Sequence, residues 1–285
     1  MASRTQIKRW GQWALWLIVV TVLAVMYAKN NSGNENTPAD DDKSQVMAPS
    51  SPHDEASRNY ESVVLPRGLS DNVVKYKGYT SHFNKTLHIP NCVCYEITAT
   101  EARGKRERKG KFERDENVAG CPNWWDYRDS GYERGHMAPA GDMKWDEQAM
   151  NETFFLTNVC PQDASLNGGV WNDIEIKVRE WARRDKTLIV ITGPIMGSSH
   201  KTIGQDMDIA VPEAFFKVIL SPYTSPVKAI GFICPNRPCG GVLKSYAVSV
   251  DEVEERTGMN FFNALPDDVE NAVEAACNFN QWMNQ

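Results

Sequence analysis

Residues 132–145 read YERGHMAPAGDMKW and set an acid, an arginine, a glycine and a histidine side by side, at Glu133, Arg134, Gly135 and His136. Gly131 and Gly135 bracket a short extended piece, and residues 137–141 (MAPAG) read as an irregular loop. Alternate side chains of an extended backbone share a face, so Arg134 lies beside His136. An imidazole with an ordinary pKa of about 6.5 can take a proton from water at neutral pH. A permanent cation next to a base that must stay neutral makes sense where something anionic is expected.

Outward from this stretch, residues 101–114 (EARGKRERKGKFER) hold seven bases against three acids, a local net of +4. Such a charge run is usually a solvated loop, and phosphate binding is its sharper reading, depending on what the loop sits beside. On the other side, residues 170–184 carry Trp171, Ile174, Val178 and Trp181 at helical steps of three and four. Glu175 lies four after Trp171 and so shares the inward side of that helix, where an acid needs a partner or a job. Asn167 precedes Glu175 by eight residues. On one regular helix beginning at Asn167, that spacing sets them about 80° apart around the axis and about 12 Å along it. Either side chain can offer oxygen to a hard cation such as magnesium. Helix capping is the other reading of Asn167, and spacing leaves both open.

The remaining pattern reads as scaffold. Strands are expected at 92–97, 153–159, 187–192 (ending at Gly193 and Pro194), 214–220 and 227–234, the last two adjacent. A helical turn is expected at 146–151, and a short helix capped by Ser249 with Glu252 three later and ended by Gly258. A last helix is expected at 267–277. Helices appended to strands, rather than alternating with them, point to an α+β layered fold.

The chain has 285 residues, 41% of them hydrophobic, and a formal net charge of -6. This is ample for a buried core and argues against coating nucleic acid by bulk charge. Arg4, Lys8 and Arg9 precede an apolar run at 10–28, whose 19 residues make about 28 Å of helix. We read 1–9 as a cytoplasmic N-terminus and 10–28 as a transmembrane signal anchor, a cleaved signal peptide being the competing reading. Residues 29–57 are Asn-, Asp-, Ser- and Pro-rich and read as a disordered tether, leaving one domain over 58–285. The positive-inside rule then carries that domain to the periplasmic or extracellular side, membrane-anchored, or secreted if the segment is cleaved. That compartment permits disulfides, which are expected among the seven cysteines because no C-x-x-C pair suggests zinc. Cys92 and Cys94, two apart on a strand, are poorly placed to bond each other.

Taken in order, ERGHMAPAGD, FFLTNVCPQ, LNGGVWNDIE, ITGPI, VPEAFFKVIL and VDEVEERTGMNFF resemble the DNA/RNA non-specific endonucleases, the ββα-metal nucleases of the Serratia nuclease and endonuclease G type. The resemblance runs over about residues 95–266. It implies a ββα-metal nuclease fold, with a central, mainly antiparallel sheet flanked by helices. It also implies a sugar-non-specific endonuclease that cuts phosphodiester bonds in DNA and RNA, leaves 5′-phosphate ends, and uses Mg²⁺, with Mn²⁺ as a substitute. Carried over residue by residue, His136 is the general base and Arg134 its flanking arginine. Asn167 is the metal ligand, and Glu175 holds the metal through water. An arginine of the basic loop contacts the scissile phosphate; Arg108 is the first candidate and Arg106 the second. The chain departs from the family at Glu133, where aspartate is usual, and an adjusted supporting hydrogen bond is expected there. The competing reading is a membrane-tethered nucleic-acid-binding or structural module with a degenerate nuclease fold. Oligomeric state is left open.

Overall fold

Strands β1 (Asn72–Lys75), β2 (Thr80–Asn84) and β3 (Ile89–Thr98) run as an antiparallel meander. They open the main sheet of the computed structural model, which describes residues 60–283. Next, β4 (Glu133–His136) and β5 (Val159–Gln162) pair with each other antiparallel, apart from the main sheet. Strands β6 (Thr187–Ile195), β7 (Ala214–Ser221), β8 (Lys228–Pro235) and β9 (Ala247–Val248) complete a seven-stranded sheet in the order β9-β8-β7-β6-β3-β2-β1, antiparallel at every pairing. The helices are α1 (Glu147–Glu152), α2 (Asn172–Asp185), α3 (Val250–Thr257), α4 (Asp267–Glu274) and α5 (Phe279–Met283). The expected α+β class with a central antiparallel sheet is what the chain forms.

Strands β6 and β7 read as near-continuous apolar runs because both sheet faces are covered. One face packs Tyr95, Val190 and Phe215 against Ile174, Val178 and Trp181 of α2. The other packs Ile191, Phe216 and Val218 against Val250 and Val253 of α3 and against Phe261. Full burial of each such side chain contributes about 1.5–3 kcal/mol, enough to hold α2 against the sheet without help from intrinsic propensity. Helix α3 begins where Ser249 accepts the Glu252 N–H and ends at Gly258 with φ of 69°, as its sequence signals predict.

Several expectations are corrected. Residues 153–159 do not form one strand: Thr153 closes α1 by donating its hydroxyl to the Met150 carbonyl, and Leu156–Asn158 is a 3₁₀ turn. The run is apolar because it is buried, not because it joins a ladder. Strand β6 continues through Gly193 and Pro194, although β3 pairs with it only as far as Thr192. Beyond that residue β7 continues the pairing, with Phe216 opposite Gly193 and Phe215 opposite Pro194. The last helix stops at Glu274 and is followed by a separate one, α5. No disulfide forms: all seven cysteines are free, and five of them fill buried positions as small apolar side chains.

The expected N-terminus at 1–9, anchor at 10–28 and tether at 29–57 lie outside the described residues. Within those residues, no helix is long and apolar enough to cross a membrane.

Candidate active site

The β4–β5 hairpin carries the motif that opens the sequence argument. Gly135 faces Cys160 across it, and a Cβ at 135 would collide with the Gln162 side chain. Only glycine fits, and this close approach turns Arg134 and His136 together to the other side. The loop after His136 is irregular but fastened. Asn158 accepts from the Ala138 N–H at 2.8 Å and donates to the Ala138 carbonyl at 2.8 Å and the Thr153 carbonyl at 2.9 Å. A buried amide bonded this fully fixes the backbone that leaves the histidine.

His136 stands between two aromatic rings, Phe112 at 4.9 Å and Phe154 at 5.1 Å between centroids. Its Nε2 is buried without a hydrogen-bond partner. Burial first, and then the Arg108 guanidinium, hold its pKa down to about 3, so the ring is neutral. Both rings also carry a cation: Arg134 lies 4.9 Å from the Phe112 centroid and Arg108 lies 4.9 Å from that of Phe154. Arg106 takes a different course. It reaches Glu147 at 3.8 Å and the Trp145 carbonyl at 3.5 Å, and does not line the cavity described below.

Asn167 and Glu175 do not sit on one regular helix. Residues Ala164–Leu166 form a short helical turn capped by Asp163, which accepts from the Ser165 and Leu166 N–H groups. Asn167–Trp171 then makes a wide π turn, broken at Gly169 (φ -105°, ψ -121°), before α2 begins at Asn172. Asp163 therefore does the capping that the sequence left open to Asn167. The Asn167 side chain is instead held by Glu133: its Nδ2 donates to the Glu133 carboxylate at 2.7 Å. That bond sets the amide's orientation, because the flipped form would set oxygen against oxygen. Glu175 is half-buried and, among the described residues, accepts no hydrogen bond. Burial pushes its pKa up to about 7, opposed first by the buried Lys217.

Arg108, Arg134, His136, Asn167 and Glu175 line one cavity of about 710 Å³. Its wall includes four basic residues, adding Lys144 and Arg179 to the two arginines, against Glu133 and Glu175. A pocket of this size and sign suits a phosphate backbone.

The sequence reading missed the groups behind this wall. Lys217, fully buried on β7, has its ammonium 4.7 Å from the Trp171 ring centroid and no hydrogen-bond partner, so its charge acts on Glu175. Asp142, also fully buried, accepts from Arg179 at 2.6 Å and from the Tyr95 hydroxyl at 2.8 Å, fixing the guanidinium at the cavity edge. A lysine inside the apolar run AFFKVIL was the signal available for the first.

Comparison with known proteins identifies the family. Residues 56–268 match the model of the DNA/RNA non-specific endonucleases. The mitochondrial nuclease EXOG of Danio rerio is 37% identical over 222 residues, covering 70% of this chain and 64% of the relative. Nuclease 1, mitochondrial, of Schizosaccharomyces pombe is 33% identical over 225 residues, covering 71% and 69%. The chain thus spans less than two thirds of the Danio rerio relative's length. A crystal structure of the EndoG/EndoGI complex superimposes with a TM-score of 0.67 at 27% identity, covering 78% of this chain and 95% of that one. The mitochondrial relatives overturn the expected periplasmic or extracellular location, whether membrane-anchored or secreted. The N-terminal charge pattern that suggested export is shared by different kinds of targeting and anchoring segments. With the family model covering most of the chain and the relatives agreeing along it, this protein belongs to the DNA/RNA non-specific endonuclease family.

Proposed function

We propose that the chain is a magnesium-dependent, sugar-non-specific endonuclease that hydrolyses phosphodiester bonds in DNA and RNA and leaves 5′-phosphate ends. One observation carries the reading: a neutral histidine, two arginines, an asparagine and a half-buried glutamate, drawn from separate elements, line a single basic cavity.

The donor set fits a hard cation. Asn167 commits its Nδ2 to Glu133, which frees Oδ1 for the cavity, and Glu175 offers a carboxylate to which no described residue donates. Oxygen donors of this kind suit Mg²⁺, with Mn²⁺ as a substitute. Asn167 would hold the ion directly and Glu175 through water. When bound, it supplies Lewis-acid stabilisation of the charge that develops on the phosphate.

The other steps fall to the chain's own groups. His136 is neutral, and with Nε2 enclosed, Nδ1 is the ring nitrogen left to take a proton from the attacking water. Arg108 and Arg134, steadied on Phe154 and Phe112, neutralise the phosphate oxygens in a site already shaped for them. A phosphate anion beside Arg108 also offsets the cation that holds the histidine's pKa down, making it a stronger base once substrate is present. The basic wall suits substrate choice through the sugar–phosphate backbone.

The test is digestion of plasmid and of RNA by the full chain with magnesium and with chelator, alongside His136→Ala. Cutting that requires magnesium and falls by about 10²–10⁴-fold in the variant is expected. Wild-type cutting by a folded His136→Ala chain would remove the base assignment, and no cutting by either chain would leave the degenerate-module reading in its place.

A further inference from the structure

The cysteines of β3 alternate with Val93 and Tyr95, so Cys92 and Cys94 project from the sheet face opposite the one that supports the cavity. Across the β2–β3 ladder His82 directly opposes Cys92, with Thr80 opposing Cys94. This register places a ring nitrogen of His82 and both sulfurs within 4.8 Å of one another. Asp71, from the segment before β1, sits 3.0 Å from His82 Nδ1 and leaves Nε2 as the nitrogen available to the thiols. Either thiol alone is explained as a small apolar side chain. An imidazole held by a carboxylate and set against two of them is not. A disulfide does not account for the pair either, since two residues along one strand separate the Cα atoms by about 6.7 Å, near the limit of bridging.

We propose that His82, Cys92 and Cys94 bind a borderline-soft divalent transition metal of the zinc class. Two thiolates balance the charge of the ion, and the neutral imidazole adds a third donor of the type zinc favours. Each thiol, and the imidazolium of His82 at its ligating nitrogen, releases its proton to solvent as it bonds the metal. Asp71 orients the ring by accepting from its other nitrogen, as carboxylates do behind metal-bound histidines. The sulfurs are buried, but the side chains of His82 and Asp71 keep 14% and 26% of their surface exposed, which provides an entry path. The site is chemically distinct from the cavity, which is lined by oxygen and nitrogen donors without a thiol. It ties β2 to β3, the strand through which β2 and β1 join the rest of the sheet, so its effect is on stability.

Co²⁺ titrated into metal-stripped full chain tests this, because thiolate-to-cobalt charge transfer absorbs in the near ultraviolet and an oxygen-ligated ion in the cavity does not. One equivalent of cobalt with that absorption is expected, displaced by Zn²⁺, together with a rise in Tm when Zn²⁺ is bound. Cys92→Ser with Cys94→Ser should abolish the absorption, whereas Cys234→Ser with Cys239→Ser should retain it. Should the first pair fail to fold, Asp71→Asn, judged folded by circular dichroism, should weaken cobalt binding by about 10–100-fold. No thiolate absorption from the wild-type chain, absorption unchanged by Cys92→Ser with Cys94→Ser, or cobalt affinity unchanged by Asp71→Asn would overturn the proposal.

Discussion

Glu133 occupies a position where the resemblance leads one to expect aspartate, and its extra methylene carries the carboxylate to within 2.7 Å of Asn167 Nδ2. The acid beside the histidine motif therefore orients the amide that we propose holds the metal ion. Glu133→Ala should raise the magnesium needed for half-maximal activity by about 10–100-fold with little change in the rate at saturation. A magnesium titration checks this, and an unchanged curve would show that Asn167 needs no such support. Lys217 acts on Glu175 from below, as a buried cation that lowers the acid's pKa against the larger effect of burial. Lys217→Met should move the acid limb of the pH–activity profile upward by about one unit or more, because the carboxylate then ionises later. The profile itself is the check, with lost activity at pH 7 recovered in more alkaline buffer. The stability sign follows from the same shift. The pKa of Glu175 is about 7 in the folded chain, above its ordinary 4.5, so protonated Glu175 favours folding. This contribution is complete below the unfolded value and is lost as pH rises through about 7.

At the scale of elements, the hairpin and the wide turn do the positioning. Gly135→Ala would press a methyl group into Gln162 and spread β4 from β5, displacing His136. We expect a destabilisation of about 1–3 kcal/mol and a loss of activity of about 10²-fold, read by thermal unfolding and plasmid cutting. Gln162→Ala in the same chain should return part of both, and a Gly135→Ala chain with wild-type Tm and rate would show that the contact yields without cost. Helix α2 was legible from Trp171, Ile174, Val178 and Trp181, whose period places all four in the core. Its first turn was not legible. The Gly-Gly pair at 168–169 allows a backbone that ordinary helical spacing does not anticipate, and the π turn there brings Asn167 to the same cavity as Glu175. Strand 153–159 failed for the converse reason: an apolar run reports burial, and burial does not require a ladder.

Across the whole molecule, a chain of net charge -6 encloses a cavity with twice as many bases as acids. The acidic total kept bulk nucleic-acid coating out of the reading, and the local run of +4 supplied Arg108 to the wall while Arg106 went to Glu147. By itself, the sequence determined what depends on local order. The alternation around Gly135, the helical period of α2, the paired apolar strands and the ordered motif blocks were enough for the fold class, the family and five residues that line the cavity, Arg108, Arg134, His136, Asn167 and Glu175. Tertiary structure alone decided what depends on partners distant in the chain. It set Glu133 on Asn167, Lys217 beneath Glu175, Arg108 against Phe154, and His82 across from Cys92 and close to Cys94. The physical reason is that period and spacing encode which face a side chain takes, while its charge state and hydrogen bonds are set by whichever groups strand register and packing bring to that face.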